Sequence, residues 1–369
     1  MRENWTNKNF EDCLVKAPKA KQVQTSEYNS GTKYPIVSQE DKLVSGFCDD
    51  SSLVFHIENP VVIFGDHTRA LKYVDFDFVV GADGVKILIP KDFLNAKLLY
   101  FYLLWYNVPS LGYSRHYKLL KEINVPIPPL SEQQSIVAEL DKINELISLK
   151  KAQLKDLDAL AQSIFYDMFG DPIENEKGWE VKKLGDVSTI KTGPFGSMLH
   201  KEDYISNGIP LVNPIHIKDY RVVADKDFTI SDEKAKELSN YILRKNDVIF
   251  ARRGDIGRCA VISDKENGYL CGTGSLFVRF ELRVIPQYIM YIIRSNSFIK
   301  ELISKAKGAT MLNLNSTIIA ALTIPLPPLF LQQEFAKRIE LIEQQKAQIS
   351  STIKDLETLL ASRMQHWFE

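Results

Sequence analysis

The segment VPIPPLSEQQ (residues 125–134) returns as IPLPPLFLQQ (residues 324–333), an offset of 199 positions. The same offset carries Lys155–Asp158 onto Lys354–Glu357, and the match continues without a gap to Phe169 and Phe368. Self-similarity at a fixed offset is typical of a duplicated structural unit. The sequence therefore predicts two copies of one unit, each a globular part followed by a helix.

A long helix is predicted after each proline segment. Three prolines within a few residues cannot lie inside a helix, so each segment is expected to be extended. Ser131, with Gln134 three positions later, resembles a capping box and predicts that the first helix starts there. Gly170 and Pro172 predict its end. The second helix is expected to run to the last printed residue.

Apolar residues recur along both helices at alternating steps of four and three, which is typical of a coiled-coil seam. Because neither seam could remain exposed to water, we predict that the two helices pair antiparallel, with the globular parts at opposite ends. Lys150 and Lys346 interrupt the seams near their midpoints, where a polar residue can fix the register. Alternatively, both amines extend into solvent. The predicted pairing residues are Ile136, Leu140, Ile143, Ile147, Leu154 and Leu157, with Ile339, Ile342, Ile349, Ile353, Leu356 and Leu360.

The globular parts are predicted to contain strands and helices in the same order. Apolar runs bounded by turn residues indicate buried strands. The predicted elements are strands 60–65 and 84–89 with helix 96–105, then strands 247–251 and 274–278 with helix 286–293. The fold class is α+β: two mixed α/β domains joined by two long helices paired as an antiparallel coiled coil, with a pseudo-twofold repeat. The predicted boundaries are 1–122 and 171–321 for the domains, and 123–170 and 322–369 for the proline segments with their helices.

The composition is that of an ordinary soluble protein, with 45% hydrophobic residues and a mean hydropathy of −0.15. No apolar run is long enough to span a bilayer, the first residues lack a signal-peptide pattern, and the four cysteines are scattered. These features predict a cytoplasmic protein and argue against a zinc site. The net charge of −1 leaves two interpretations. Either the chain does not bind nucleic acid, or its basic patches are local and offset by acidic surface elsewhere.

Signatures of enzymes are almost absent from the sequence. It contains no phosphate-binding loop, dinucleotide fingerprint or metalloprotease motif. The tripeptide Asn213-Pro214-Ile215 is only faintly similar to the NPP-aromatic loop of an amino-methyltransferase, and no glycine-rich cofactor loop accompanies it. His67 and His216 lie beside charged residues and are interpreted as solvated loop residues. The sequence therefore predicts a protein that binds without catalysing a reaction, with no cofactor or metal in this chain.

Loops that combine glycine with basic residues are the candidates for DNA binding. Glycine lets the backbone approach a ligand closely, and arginine can contact phosphates or the guanine edge bidentately. Simple solvent-exposed turns are the alternative interpretation. The candidates are His67, Thr68 and Arg69; Arg115 and Lys118; Lys191, Thr192, Phe195 and Ser197; Arg252, Arg253 and Arg258; and Lys305 and Lys307.

Taken together, these segments resemble the specificity subunit of a type I restriction-modification system. The resemblance rests on the doubled proline–Gln–helix segment, and on GWEVKKLGDV (178–187), KTGPFGS (191–197), GDHTR (65–69) and GADGVK (81–86). It implies that each domain reads one half of a bipartite site in double-stranded DNA, and that the helices set the spacer. It also implies two partner modification (methyltransferase) subunits that bind S-adenosylmethionine and methylate adenine, joined by restriction/translocase subunits. Because no apolar run could span a bilayer, no membrane partner is expected.

The two copies differ in two respects. The first globular part is shorter and lacks an obvious counterpart of GPFGS (193–197), so we expect it to read its half-site with a different set of loops. Ser131-Glu132 becomes Phe330-Leu331, which predicts an apolar contact with a partner at the second helix. Two other functions remain open. A coiled-coil scaffold would show no salt-dependent DNA affinity and no effect of substituting Arg252 or Arg253, and a self-contained methyltransferase or nuclease would turn over alone.

Overall fold

The computed structural model describes residues 4–112, 114–195, 197–306 and 313–369. The chain forms two compact units. Unit 1 consists of the residues up to 152 together with 349–369, and unit 2 consists of 153–348. Each of the two long helices, Leu130–Phe169 and Leu329–Phe368, contributes one part to each unit.

In the described part of the chain that precedes the first long helix there are ten strands and two short α-helices. The strands are β1 (Thr6–Asn9), β2 (Leu14–Val15), β3 (Tyr34–Val37), β4 (Gly46–Cys48), β5 (Val54–Phe55), β6 (Val61–Gly65), β7 (Leu71–Val74), β8 (Phe78–Val80), β9 (Val85–Pro90) and β10 (Asn124–Ile127). The helices are α1 (Ala96–Tyr106), α2 (Tyr117–Leu120) and α3 (Leu130–Phe169). The predicted strands 60–65 and 84–89 and the predicted helix 96–105 agree with β6, β9 and α1 to within one residue at each end.

Unit 1 is built on two four-stranded sheets. One has the order β2-β9-β6-β7 with antiparallel neighbours, and the other has the order β4-β3-β8-β5, in which β3 and β8 are parallel. Helix α1 begins after Asn95, whose side chain accepts hydrogen bonds from the amides of Lys97 and Leu98, and it packs on β6 and β7. The buried side chains of Phe64 and Phe101 belong to the core beneath it.

Unit 2 repeats this architecture. Its strands are β11 (Val181–Lys183), β12 (Ser188–Thr192), β13 (Tyr204–Ile205), β14 (Ile209–Val212), β15 (Ile217–Lys218), β16 (Arg221–Val222), β17 (Thr229–Ile230), β18 (Val248–Ala251), β19 (Cys259–Val261), β20 (Leu270–Cys271), β21 (Ser275–Phe280) and β22 (Thr323–Pro325). The α-helices that follow α3 are α4 (Asp232–Glu237), α5 (Pro286–Arg294), α6 (Asn296–Lys305), α7 (Ser316–Ala321) and α8 (Leu329–Phe368), and the part of α8 up to residue 348 belongs to unit 2. The sheet order β12-β21-β18-β19 matches β2-β9-β6-β7.

Strand pairing shows that the repeat extends through the globular parts. Val62 lies opposite Leu88 in unit 1, as Val248 lies opposite Val278 in unit 2. The parallel pair β3–β8 has its counterpart in β14–β20. The prediction of a repeated unit is therefore confirmed beyond the segments in which the sequences are visibly alike.

One buried glutamine in each copy joins the proline segment to the rest of its domain. The Oε1 atom of Gln133 accepts a hydrogen bond from the amide of Asn95 at 2.8 Å, and its Nε2 atom donates to the carbonyls of Phe93 at 2.8 Å and Pro128 at 2.9 Å. Both Gln133 and its counterpart Gln332 are 0% exposed. The first glutamine of each QQ pair is therefore a structural residue.

Gln332 repeats these contacts in unit 2. Its Oε1 atom accepts from the amide of Ile285 at 2.9 Å, and its Nε2 atom donates to the carbonyls of Pro327 at 2.8 Å and Arg283 at 3.4 Å. In both copies the bonded amide lies at the start of the domain helix, α1 or α5. The duplicated PPL…QQ segment thus attaches the start of each long helix to the domain helix of the same unit, α3 to α1 and α8 to α5.

In unit 1 the first part of α3 and the last part of α8 run antiparallel and pair. Arg363 forms an ion pair with Glu139, and Lys151 pairs with Glu357 at 2.8 Å. The indole Nε1 atom of Trp367 also donates to Glu139, at 3.0 Å. The predicted seam residues of this unit are buried or partly buried: Ile136, Leu140, Ile143, Ile147, Ile349, Ile353, Leu356 and Leu360.

In unit 2 the last part of α3 pairs antiparallel with the first part of α8. The Nζ atom of Lys346 lies 2.8 Å from Asp158 on the other helix and 2.9 Å from Glu343. The predicted seam residues of this unit are also buried or partly buried: Leu154, Leu157, Ile339 and Ile342. The antiparallel pairing is confirmed, and Lys346 forms a cross-helix ion pair rather than extending freely into water.

Two details of the helix prediction are wrong. Helix α3 begins at Leu130, so Ser131 lies within its first turn and is not the capping residue. The apolar surface near the end of α3 is also broader than a coiled-coil seam. Phe165 and Phe169 lie outside the predicted seam, yet both are fully buried and pack against Tyr288 of α5 and Phe335 of α8. Helix α3 is therefore part of the domain core at this end.

Candidate nucleic-acid interface

In unit 1 three loops meet around Gln39, which follows strand β3. Its Nε2 atom donates to the carbonyl of Asp83 at 3.0 Å, and its Oε1 atom accepts from the amide of His67 at 3.3 Å. Its carbonyl accepts a hydrogen bond from the hydroxyl of Thr68. The loops after β3, β6 and β8 are thereby held together as one surface.

A fourth segment, 114–118, is joined to this cluster through Asp66. The carbonyl of Asp66 accepts from the amide of His116, and its carboxylate accepts from the amide of Tyr117, both at 2.8 Å. Asp66 is buried and lies 3.7 Å from the amine of Lys86, which offsets its charge. Because Asp66 fixes the backbone of this segment, the exposed side chains of Arg115 and Lys118 lie at a defined place on the surface.

The predicted residues of the 65–69 loop mostly support the loop itself. Arg69 has a left-handed backbone (φ 65°), and its guanidinium donates to the carbonyl of Val108 at 2.9 Å. The hydroxyl of Thr68 is bonded to Gln39, and His67 is partly buried. Arg115, by contrast, is 65% exposed and lies 3.6 Å from Asp83. In unit 1 the side chains that best reach outward among the predicted residues are therefore those of Arg115 and Lys118.

In unit 2 the equivalent loops meet around Asn213 and two glycines. The Oδ1 atom of Asn213 accepts from the amide of Gly274 at 3.4 Å, and the carbonyl of Gly274 accepts from the amide of Arg252 at 3.1 Å. A Cβ atom on Gly193 would lie only 1.9 Å from the carbonyl oxygen of Gly272. Glycine is required at Gly193 because the two backbones touch there.

The three arginines of the 252–258 loop have different environments. Arg252 is 6% exposed, its Nε atom donates to Asn313 at 3.3 Å, and burial together with the charge of Arg253 lowers the pKa of its guanidinium. Arg258 pairs with Asp255 and donates to the carbonyl of Pro214 at 3.4 Å. The side chain of Arg253 is exposed. Arg253 is thus the arginine of this loop best placed to reach a ligand.

The 191–197 loop presents its aromatic residue to solvent. Lys191 is partly buried, with its amine 3.4 Å from both oxygens of Asn240, and Thr192 is partly buried as well. Phe195 is 63% exposed at a turn that is closed by a 2.8 Å bond from the amide of Met198 to its carbonyl. Ser197 is exposed beside it. This loop therefore combines a lysine that is held in place by Asn240 with an aromatic ring that projects into solvent.

The remaining predicted residues are only partly accounted for. Lys305 is the last residue of α6 and lies 3.6 Å from Glu301 in an i, i+4 pair. Lys307 lies outside the described residues. The interpretation of His216 as a solvated loop residue is wrong, because its side chain is only 4% exposed and burial lowers its pKa. Its ring packs on Phe228 at a centroid distance of 5.1 Å.

Gln39 and Asn213 hold the two loop clusters together. Gln39 was not among the predicted residues, and Asn213 was noted only for the faint similarity of its tripeptide to a methyltransferase loop. A signal was present in the sequence. The preceding strands, YPIV (34–37) and IPLV (209–212), are alike, and each of them is a member of the parallel strand pair in its own unit.

The four cysteines are buried and unbridged, and burial raises the pKa of Cys259 to about 12. Across the described residues no group of His, Cys, Asp and Glu could hold a metal ion. In the same residues no helix is long and apolar enough to cross a membrane.

Comparison with known proteins agrees with this architecture. Residues 2–159 and 176–358 match the family described as type I restriction modification DNA specificity domain. The chain is 26% identical over 282 residues to the type I restriction enzyme MjaIX specificity subunit of Methanocaldococcus jannaschii, covering 70% of this chain and 64% of that protein. It is 23% identical over 335 residues to the EcoR124I/EcoR124II specificity subunit of Escherichia coli, covering 86% and 81%.

Two solved structures have the same fold. The type I restriction-modification S subunit from M. genitalium superposes with a TM-score of 0.59 at 16% identity, covering 99% of this chain and 96% of that one. A chain from a study of complex assembly and conformational transition of the type I R-M system gives a TM-score of 0.54 at 17% identity, covering 100% and 98%. The family model matches two separate ranges that together include most of the chain. The chain therefore belongs to the type I restriction modification DNA specificity family.

Proposed function

We propose that this chain is the sequence-specific DNA-recognition subunit of a type I restriction-modification complex, and that each globular domain reads one half of a bipartite site. The observation that carries the proposal is the repeated loop cluster. Two domains share one strand order, while the side chains exposed on their loops differ: Arg115 and Lys118 in one, Arg253 and Phe195 in the other. A constant scaffold with different loops suits two readers of different base sequences.

The proposal divides the candidate residues into two groups. Exposed arginines can contact guanine edges or phosphates bidentately, and lysines contact phosphates as point charges. Arg115, Lys118, Arg253 and Phe195 are proposed to contact DNA. Arg69 and Arg252 are proposed to keep the loops in shape, because the guanidinium of each is bonded inside the protein.

The remaining parts of the complex are proposed by analogy with the family. S-adenosylmethionine and the methylation chemistry are assigned to two modification subunits, with restriction/translocase subunits as further partners in the cytoplasm. The long helices are proposed to set the spacer and to dock the modification subunits. The exposed apolar side chains Phe330 (64%) and Leu130 (55%), at the two helix starts, support such a contact.

Exchanging one domain tests the proposal directly. We expect that replacing residues 171–321 by the corresponding block of a relative changes only one half of the methylated motif, because each loop cluster is built within its own unit. The measurement is single-molecule sequencing of genomic DNA from a methylation-free host that expresses the chain with its modification subunit. A change in both halves would contradict separate readers. An intact complex that methylates nothing would favour the protein-binding scaffold.

A second expected result concerns the spacer. Inserting one heptad into both α3 and α8 at matching positions should lengthen the unread gap of the methylated motif, while both half-sites keep their sequence. A heptad preserves the apolar seam, so pairing of the helices is retained. The same sequencing experiment measures the gap. If the gap kept its length in a folded variant, the helices would not set the spacer.

A further inference from the structure

The loop after strand β2 occupies, in unit 1, the position that the 191–197 loop occupies in unit 2. Strand β2 pairs with the end of β9, where Leu14 lies opposite Pro90, and β12 pairs with the end of β21, where Ser188 lies opposite Phe280. Both strands therefore form the same edge of equivalent sheets and run in the same direction. Residues 16–21 are the structural counterpart that the sequence comparison did not find.

The far end of each loop also reaches an equivalent place. In unit 1 the chain returns at Gln22, which bridges to Val80 at the end of β8. In unit 2 Gly193 packs on Gly272, directly after β20. Since β8 and β20 are the partners of the two parallel pairs, both loops lie beside the corresponding loop cluster. The 16–21 loop is thus placed at the candidate interface of unit 1.

The chemistry of the two loops is different. The sequence KAPKAK (residues 16–21) carries three exposed lysines and otherwise only alanine and proline. Its counterpart carries an exposed phenylalanine and serine. Lysine amines act as flexible point charges, whereas recognition of a base edge relies on a planar fork or an amide. A lysine can also donate to guanine, but the 16–21 loop contains no arginine, asparagine or glutamine, the planar side chains that read a base edge bidentately. Its point charges therefore suit phosphates better than bases.

A groove beside the loop contains a further lysine, Lys86, whose charge also offsets that of Asp66. Lys16 lines it together with Pro18, Gln22, Lys86 and Tyr117. The amine of Lys86 lies 5.6 Å from the ring centroid of Tyr117 and 3.7 Å from the buried Asp66.

Acidic residues lie at this place as well. Hydrogen bonds from Ser52 and, to a smaller extent, the charge of Lys21 lower the pKa of Asp50. Glu11, which also lines the groove, forms a 2.7 Å ion pair with Lys121. Asp66 is buried against Lys86. The three loop lysines together with Lys86 and Lys121 outnumber the carboxylates of Glu11, Asp50 and Asp66, so this surface carries a net positive charge. Such a surface attracts phosphate groups.

We infer that the 16–21 loop of unit 1 grips the phosphate backbone of the half-site read by that unit, and contributes affinity without base specificity. This inference rests on the proposed function. It also makes the two domains unequal: unit 1 holds the backbone with lysines at the edge where unit 2 presents an aromatic ring. The lysines are exposed, so their substitution leaves the core unchanged.

The test compares the complex of chain and modification subunit with a variant carrying Lys16→Ala, Lys19→Ala and Lys21→Ala. Each lost contact between a lysine and a phosphate makes the plot of log binding constant against log salt concentration less steep by about 0.9. For the three substitutions together we expect the slope to become less steep by about 1 to 3. Affinity for the cognate duplex at about 0.1 M salt should fall about tenfold or more. The methylated motif should remain the same.

A triple variant with arginine in place of the same lysines is the matched control, because it keeps the charge and should keep the wild-type slope. An unchanged slope in the alanine variant would overturn the inference, and relaxed specificity at one half-site would show instead that the loop reads bases. The wild-type complex separates this inference from the proposed function. Absence of salt-dependent DNA binding by the wild-type complex would overturn both. Normal binding by the wild-type complex, with the same salt slope in the alanine variant, would overturn only the inference about the 16–21 loop.

Discussion

Replacing Gln133 by methionine is expected to lower the free energy of unfolding by about 3 kcal/mol or more, whereas the same change at Gln134 should cost less than about 0.5 kcal/mol. Gln133 is fully buried, and its amide satisfies the amide of Asn95 and the carbonyls of Phe93 and Pro128. Methionine fills a similar volume but leaves these three groups, which are buried or partly buried, without their hydrogen-bond partner. Each such loss costs about 1–3 kcal/mol.

Gln134 is the matched control because it is adjacent, chemically identical and exposed. Urea denaturation of the full chain measures the difference between the two variants. Gln332 and Gln333 provide the same comparison in unit 2, where Gln332 is buried and Gln333 is exposed. Equal losses from both members of a pair would mean that the buried amide does not hold the proline segment to its domain.

This pair of glutamines illustrates how far the sequence leads. The repeat identifies QQ as part of the duplicated unit, but two adjacent identical residues cannot be told apart by their letters. Which of them is buried depends on where the helix start packs against Asn95 or Ile285, and that is a tertiary contact. The strands and the helix seam were predictable because they follow from local periodicity, which a sequence displays directly.

The candidate interface was less predictable for the same physical reason. Arg69 and Arg253 look alike in sequence, each in a glycine-containing turn after a buried strand. One guanidinium is bonded to the carbonyl of Val108 and the other side chain is exposed, because different segments pack beside the two loops. The 16–21 loop escaped detection because KAPKAK and KTGPFGS have only a lysine and a proline in common, which is too little to align them. Only strand pairing shows that the two loops are equivalent.

Replacing Gly193 by alanine is expected to reduce affinity for the cognate site about 100-fold and to abolish its methylation. A Cβ atom at this position would lie 1.9 Å from the carbonyl oxygen and 2.5 Å from the carbonyl carbon of Gly272. Both neighbours are backbone atoms that cannot turn aside, so the loop carrying Phe195 must move away from the strand ends that bear Arg252 and Gly274. Misplacing one reading loop is comparable to losing one or two base-pair contacts, each worth about 1–3 kcal/mol.

Gly178→Asn is a suitable control in the same unit. Gly178 has a left-handed backbone (φ 68°) and nothing within 4 Å of an added Cβ atom, and asparagine tolerates that conformation. Binding of cognate and scrambled duplexes by the complex with the modification subunit is the measurement. Gly193→Ala should lose cognate affinity and retain salt-dependent binding to scrambled DNA, since the lysines of unit 1 are untouched. If cognate affinity and methylation survived in the variant, the close contact between Gly193 and Gly272 would not be needed to place the reading loop.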